Sequence, residues 1–411
     1  MTIIDHRKLY RFPWSLTDNC STWLEVTYKC NLHCDGCYRQ KTDEYMSIEE
    51  IEKTLDEMDA CRTFDAVSLA GGDPLLHPNI VEIVRIITER GWKARIYSNG
   101  LDLNEDLLRR LEEAGLICIV LHIDSKQGRP DWEGKTEIEL NELRLHYARM
   151  IAKVGGLICE FNMTVFGDTL HYVPEILKWG QAHMNIVHSL NFICFRQPET
   201  DKFYFMSDGR NVNEELPYYK KDNEVAASVF TEDIVEKIVD IYPDFQPAAY
   251  LNGTVKPDSL KWLTAFRYGN KKKIYGYIGP RFVEIQQTLH HLFFGRYLAF
   301  PPKGGMGLFN LVKLSLLFDS KFMKAKLKRL LNVKSWRRKL QYQMIAIVQP
   351  TDILDDGRQN MCDGCPDMII WNGKLVWSCR LEECLKFGQM LHTVKRCPEN
   401  EIPAESRQGS A

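Results

Sequence analysis

The sequence predicts an α/β fold, a partial (β/α)6 TIM-like barrel followed by a cysteine-rich extension. Three observations predict it. Short β-branched and apolar runs alternate with amphipathic stretches six times between residues 20 and 198, and such alternation builds parallel sheets. The polar turns of this region fall at the carboxyl ends of the strands, where barrel enzymes keep their functional loops. Seven of the 13 cysteines fall in two groups, at 30/34/37 and at 362/365/379/384.

Trp23 to Thr27 mixes aromatic and β-branched residues and reads as a strand running into the first cysteine group. Ser47 and Glu50 form a capping-box pattern that opens a helix through Ala60. Strand Ala66 to Leu69, turn Gly71-Gly72-Asp73-Pro74 and a helix from Pro78 to Arg90 follow. Strand Lys93 to Tyr97, turn Ser98-Asn99-Gly100 and helix Asn104 to Ala114 repeat the unit. Three further strands read at Ile117 to Ile123, Gly156 to Val165 and His188 to Phe195, with helices over Glu137 to Val154 and Val173 to His183. Six such steps suit a closed or partly closed barrel better than a doubly wound sheet.

The chain divides into an N-terminal segment (1–19), the barrel core (20–198), a mixed region that turns aromatic and then basic (199–359), a cysteine-rich region (360–398) and a polar tail (399–411). In the mixed region, Pro217 to Lys221 and Leu251-Asn252-Gly253 are turn signals and Thr231 to Ile241 reads as a helix. No chemistry can be placed between Pro198 and Tyr275 from sequence.

Cys30-Asn31-Leu32-His33-Cys34-Asp35-Gly36-Cys37 packs three thiols into eight residues. Three thiolates can bind three irons of a [4Fe-4S] cluster and leave the fourth iron open; electron-transfer clusters ordinarily have four protein ligands. Structural zinc is the alternative, but no fourth ligand stands nearby and His33 is too close along the chain to the thiols to serve easily.

This loop resembles that of the radical S-adenosylmethionine (SAM) superfamily. The resemblance implies that Cys30, Cys34 and Cys37 hold the cluster and that the SAM amine and carboxylate fill the open position. An electron from a low-potential donor such as ferredoxin or flavodoxin would then cleave a carbon-sulfur bond to give a 5'-deoxyadenosyl radical. Gly36 stands where the family usually carries an aromatic residue, so Tyr38 is expected to cover the adenine side.

Gly71-Gly72-Asp73-Pro74 resembles the family's Gly-Gly-Glu-Pro segment, whose carbonyls and acidic side chain receive the SAM amino group. Glycines allow close backbone approach and a carboxylate complements an ammonium; alone, the same four residues read as an ordinary strand-to-helix turn. Ser98-Asn99 resembles the family's Ser/Thr-Asn-Gly segment, and Asp124-Ser125 resembles positions that contact the SAM ribose or carboxylate. Helix capping explains any single one of these equally well. His122, Asn162, Thr164 and Arg196 complete the ring of candidates, against a core role for His122 and an ion pair for Arg196. The polar loop from Lys126 to Lys135 is long enough to shape the pocket.

In the second group, Cys362-Asp363-Gly364-Cys365 precedes two apolar runs joined by Asn372-Gly373, a strong two-residue hairpin signal that brings Cys365 and Cys379 near one another. With Cys362 and Cys384 they form a four-thiolate set suited to iron-sulfur or zinc. The region resembles the SPASM and twitch modules that follow many radical SAM cores, which implies one auxiliary [4Fe-4S] cluster, with zinc as the alternative. Cys20, Cys61, Cys118, Cys159 and Cys194 read as small buried apolar residues.

Nine basic residues and no acidic one lie between Lys321 and Lys339. Phe309, Val312, Leu316, Met323, Leu327 and Leu330 would form an apolar stripe on a helix there. Such a helix suits an anionic membrane; a core helix with a solvated basic face is the plainer alternative.

The formal net charge of -2 argues against a nucleic-acid binder. No charged-then-apolar leader opens the chain and no apolar run approaches membrane-spanning length, so a cytoplasmic location is expected, peripheral at the membrane if the basic stretch binds lipid. The expected function is a radical SAM enzyme that takes hydrogen from a lipid or isoprenoid-like substrate. Peptide or protein modification suits the SPASM-like tail, and a non-catalytic metal-binding scaffold is the alternative of another class.

Overall fold

The computed structural model describes residues 4–216, 228–300 and 340–396, with 320, 323, 324, 327, 328 and 331 between them. The turn at 217–221, the tail from 399 and nearly all of the basic stretch at 321–339 lie outside the described residues.

Six parallel strands stand side by side in chain order: β2 (Ser21–Thr27), β3 (Ala66–Gly71), β4 (Lys93–Ser98), β5 (Leu116–His122), β6 (Ile158–Val165) and β7 (Ser189–Cys194). Helices α1 (Ile48–Cys61), α2 (Ile80–Glu89), α3 (Glu105–Glu113), α4 (Asn141–Val154) and α5 (Val173–Ala182) connect them. This is the barrel wall that the alternation predicts. The capping box of α1 is formed in both directions, Ser47 accepting from the Glu50 amide and Glu50 from the Ser47 amide. On α2, Ile80, Ile83, Val84 and Ile87 make one buried face, the helical spacing that packs it on the sheet.

The sheet does not stop at β7. β13 (Gln341–Val348) adds parallel to β7, pairing Met344 with Ser189, and β11 (Trp262–Asn270) adds antiparallel to β13. β10 (Ala249–Leu251) follows, then β1 (Tyr10–Arg11), while β12 (Lys273–Tyr277) forms a hairpin with β11. Strands β10 to β13, none of them read from sequence, thus extend one eleven-stranded sheet. Helix α6 (Thr231–Ile241) covers it outside, and one face of α7 (Pro280–Phe294) packs Val283 against Phe12 and Trp14.

The sheet curls until its two edges face one cavity, and the first residues of the cysteine-rich region bridge the gap. On the β1/β10 side, Arg11 Nη2 meets Asp363 Oδ2 at 2.6 Å and Gly253 bridges to Cys362. On the β2 side, Thr22 Oγ1 donates to Met368 O at 3.1 Å and the buried Arg62 donates to Cys365 O at 2.6 Å. Asn19 Nδ2 donates to Gly364 O at 2.9 Å.

Beyond this bridge, β16 (Met368–Trp371) and β17 (Lys374–Trp377) form the expected hairpin. Asn372 and Gly373 both take positive φ, 49° and 72°, which the tight turn requires. Helix α8 (Leu381–Phe387) follows. Two small sheets complete the described chain: β14 (Asp352–Ile353) with β15 (Gln359–Asn360), and β8 (Phe203–Ser207) between β9 (Arg210–Asn211) and β18 (His392–Lys395). Among the described residues no helix is long and apolar enough to cross a membrane.

Candidate active site

A cavity of about 790 Å³ fills the curled sheet, within the range of sites that enclose small-molecule ligands. Cys30, Cys34 and Cys37 line one end of it. Their loop is fixed from two sides: the Asp35 amide donates to Lys126 O at 2.7 Å, and Lys41 Nζ donates to Leu32 O. Burial pushes the Cys34 thiol up to about 12 and raises Cys30, so these thiols hold their protons until a metal displaces them.

The glycine turn presses on the strand that leads into this loop. Gly72 N–H donates to Thr27 O and Asp73 N–H to Lys29 O, both at 2.7 Å. A Cβ at Gly71, where φ is +125°, would stand 2.1 Å from Thr27 O, and one at Gly72 would stand 2.0 Å from Lys29 O. Only glycine permits that approach. Gly71 and Gly72 line the cavity, whereas Asp73 and Pro74 stand behind its wall. The Asp73 carboxylate is turned inward, accepting from Ser98 Oγ at 2.9 Å, from the Asn99 amide at 2.8 Å and from the Leu75 amide at 3.0 Å. Burial pushes it up to about 6 against those three donors. In this position it braces Ser98 and Asn99, which line the cavity. Asn99 Nδ2 donates to Asn31 Oδ1 at 2.7 Å and lies 3.9 Å from Cys30 Sγ, tying this turn to the cysteine loop.

At the end of β5, His122 and Asp124 both line the cavity, while Ser125 does not. His122 Nε2 and Asp124 Oδ2 are 2.7 Å apart, and the Thr164 amide donates to the same oxygen at 3.1 Å. Burial would push Asp124 up, but these bonds outweigh it and hold the carboxyl below its usual range. His122 is thus a cavity residue, not the core histidine that a buried strand suggests. Asn162, Thr164 and Arg196 also line the cavity, with the Arg196 guanidinium 4.3 Å from the centre of the Phe230 ring.

Where the cysteine loop has Gly36, φ is +71° and the Phe195 ring occupies the adjoining space, 2.9 Å from the site of a Cβ. Phe195 stacks on Phe166 with centroids 4.5 Å apart and lines the cavity, so an aromatic surface is supplied from β7 instead. Tyr38 sits elsewhere, facing both Cys37 and Cys379, and burial holds its phenol well above the usual range. Next to it, the buried Arg39 pairs with Glu382 of α8 at 2.7 Å and with Glu25 of β2. The two cysteine groups therefore share one cavity: Cys362, Cys365 and Cys379 line it as well. The Cys365 thiol hydrogen-bonds Cys362, which holds Cys365 well above the usual range and lowers Cys362. Cys384 does not line the cavity.

Among the described residues no three His, Cys, Asp or Glu side chains gather closely enough for a single metal ion. A four-iron cluster asks for a wider spread of thiols, each bound to its own iron, and the three thiols of an eight-residue loop fit that demand.

Sequence reasoning missed the far wall. Arg95 lies beneath the rings of Tyr97 and Phe300, 4.9 and 5.1 Å from their centroids, and donates to Ser68. Glu160 and Asn191 face the same space, joined at 3.2 Å. The signal was the two-residue period: Lys93, Arg95 and Tyr97 alternate with buried Ala94 and Ile96. Trp262, Phe266, Tyr342 and Met344, from strands that were not read, and Phe282 of helix α7 also line the cavity.

The fold and this site define an α/β-barrel enzyme with a three-cysteine loop lining a large internal cavity. The family model "Radical SAM superfamily" matches residues 24–180. An S-adenosylmethionine-dependent nucleotide dehydratase of a Thermoplasmatales archaeon is 34% identical over 238 residues, 54% of this chain and 79% of that protein. The chain belongs to the radical SAM superfamily, whose enzymes use a [4Fe-4S] cluster and SAM. A tungsten-containing aldehyde ferredoxin oxidoreductase cofactor-modifying protein of Pyrococcus furiosus is 29% identical over 106 residues, 25% of this chain; the match spans only 30% of that relative's length. The Streptococcus suis SuiB structure with its precursor peptide SuiA is 16% identical, covering 44% of this chain and 40% of that one, with a TM-score of 0.35.

Proposed function

We propose that this chain reductively cleaves SAM and takes a hydrogen atom from a substrate with a large apolar body held inside the curled sheet. The cluster, bound by Cys30, Cys34 and Cys37 and reduced by a low-potential donor such as ferredoxin or flavodoxin, would supply the electron that generates the 5'-deoxyadenosyl radical. The chain's own residues do the rest. Carbonyls of Gly71 and Gly72 and the side chains of Ser98, Asn99 and Asp124 orient SAM, and Phe195 offers its ring to the adenine.

The observation that carries the substrate class is the apolar, mostly aromatic lining that Trp262, Phe266, Phe282, Tyr342 and Met344 add to the cavity shared with Cys30, Cys34 and Cys37. A lining of this kind binds through apolar area and excludes water from a reactive intermediate. Helix α7 connects that lining to the surface. Phe282 lines the cavity near its start, whereas Leu292, Phe293 and Phe294 at its end are 72%, 60% and 55% exposed. Together with the basic stretch that follows in sequence, this tip supports peripheral contact with an anionic membrane, each cation near the headgroups contributing about 1 kcal/mol.

The test is substrate-dependent turnover. Reconstituted protein with dithionite and SAM is given a total lipid extract or a total peptide extract of cells lacking the protein. The proposal expects 5'-deoxyadenosine above the uncoupled level with the lipid fraction. Stimulation by the peptide fraction alone would reject the apolar substrate and favour peptide modification.

A further inference from the structure

The inner face of the barrel carries one polar level. Strand pairing sets His122 of β5 beside Asn162 of β6, Asn162 beside Asn191 of β7, Asn191 beside Ala346 of β13 and Ala346 beside Thr264 of β11. All five line the cavity. Two residues away along β11 and β13 the lining is apolar in both directions, with Phe266 and Met344 on one side of this level and Trp262 and Val348 on the other.

Two carboxylates set the hydrogen-bond directions within this level. The Asp124 carboxylate accepts from the Lys126 amide at 3.0 Å and from the Thr164 amide at 3.1 Å, and it meets His122 Nε2 at 2.7 Å as an acceptor. In the neutral imidazole Nε2 therefore carries the proton and Nδ1 keeps a lone pair. From the other side, the Glu160 carboxylate accepts from Asn191 Nδ2 at 3.2 Å, and Ser189 Oγ donates to Asn191 Oδ1 at 2.6 Å. These bonds fix the Asn191 amide, which also donates to Asn162 Oδ1 at 2.8 Å. The Asn162 amide is thereby turned so that its remaining donor is Nδ2.

Among the described residues neither His122 Nδ1 nor Asn162 Nδ2 has a hydrogen-bond partner, although Asn162 is only 8% exposed. An acceptor and a donor thus line the cavity side by side, on neighbouring strands about 4.8 Å apart. One hydroxyl group satisfies both, its hydrogen going to Nδ1 and its oxygen accepting from Nδ2. A trans peptide group points its N–H and C=O in opposite directions and serves only one of them.

We propose that His122 and Asn162 hold a hydroxyl group of the substrate, which makes the substrate an alcohol whose apolar body lies along β11 and β13. The proposal rests on the apolar substrate proposed above and adds its polar anchor.

The test compares two probes, phenylpropanol and butylbenzene, which differ by a hydroxyl in place of a methyl group. Binding to the anaerobically reconstituted full chain is measured by equilibrium dialysis at about pH 8, above the ordinary histidine range. His122→Phe and Asn162→Leu are each expected to weaken phenylpropanol about 10-fold, the scale of one buried hydrogen bond left unmade, and to leave butylbenzene unchanged. A variant that loses both probes is misfolded, and the unmodified chain with 15N-labelled histidine then decides. There phenylpropanol is expected to shift one imidazole Nδ1 resonance that butylbenzene leaves in place, since His122 is the cavity's only histidine among the described residues. Unchanged phenylpropanol affinity in either variant, or an Nδ1 resonance that phenylpropanol does not move, would overturn the proposal. So would tighter binding of phenylbutyrate, whose carboxylate asks for two donors. An unmodified chain that binds neither probe would overturn the apolar substrate itself, and this anchor with it. No readout depends on SAM cleavage.

Discussion

Arg39 and Glu382 meet at 2.7 Å, joining the residues just after Cys37 to the helix just after Cys379. Both side chains are buried, and Glu25 of β2 contacts the same guanidinium. Burial lowers Arg39 to about 10 while Glu382 opposes the shift, so the guanidinium remains charged at neutral pH. Removing one member of a buried ion set leaves an uncompensated charge, a loss of about 3–5 kcal/mol. Arg39→Met is therefore expected to lower the urea midpoint strongly and to disturb the signal of the cluster at Cys30, Cys34 and Cys37. A change under about 1 kcal/mol would mean that the pair does not join the two sites.

Gly72→Ala tests the contact between the glycine turn and the cysteine loop. Its Cβ would stand 2.0 Å from Lys29 O, so turn and loop must separate. Overpacking of this kind costs about 1–3 kcal/mol, and SAM affinity measured by equilibrium dialysis is expected to fall at least ~10-fold, about 1.4 kcal/mol.

Asp73 gives a pH signature. Its carboxyl rises from 3.8 to about 6 on folding because burial outweighs its three hydrogen-bond donors. The folded chain therefore holds this proton more tightly than the unfolded chain. The resulting stabilisation is full below 3.8 and is lost as pH rises through about 6. The stability difference between wild type and Asp73→Asn should change across that window and be flat above it. A difference independent of pH from about 4 to about 7.5 would place the carboxyl outside the wall.

Replacing Leu292, Phe293 and Phe294 together by serine tests the route from a membrane. These side chains are exposed, so unfolding midpoints should stay within about 0.5 kcal/mol. Cosedimentation with phosphatidylglycerol vesicles at low salt should fall at least ~10-fold, because full burial of one such side chain contributes about 1.5–3 kcal/mol. Unchanged cosedimentation would remove the tip of α7 from the contact.

Most of the barrel was legible because its signals are local. The Ser47 and Glu50 box, the Asn372-Gly373 turn and the six apolar runs each depend on neighbours within a few residues. The remainder of the sheet was not, because β11 and β13 pair with strands far away in sequence and their aromatic residues acquire a face only once β13 meets β7. That Cys30, Cys34, Cys37, Gly71 and Gly72 lie near one another, lining one cavity, was legible from their positions at strand ends. The inward turn of Asp73 was not, because it is decided by the Ser98 hydroxyl and the Asn99 amide on the next strand.

SAM cleavage at the first cysteine loop is tested most directly by anaerobic reconstitution with iron and sulfide, followed by dithionite and SAM, with 5'-deoxyadenosine quantified by chromatography. The intact chain is expected to form it, and Cys30→Ala, Cys34→Ala and Cys37→Ala are each expected to lose it. A fully loaded chain that forms no 5'-deoxyadenosine, or a Cys34→Ala variant that still does, would contradict the assignment of this loop.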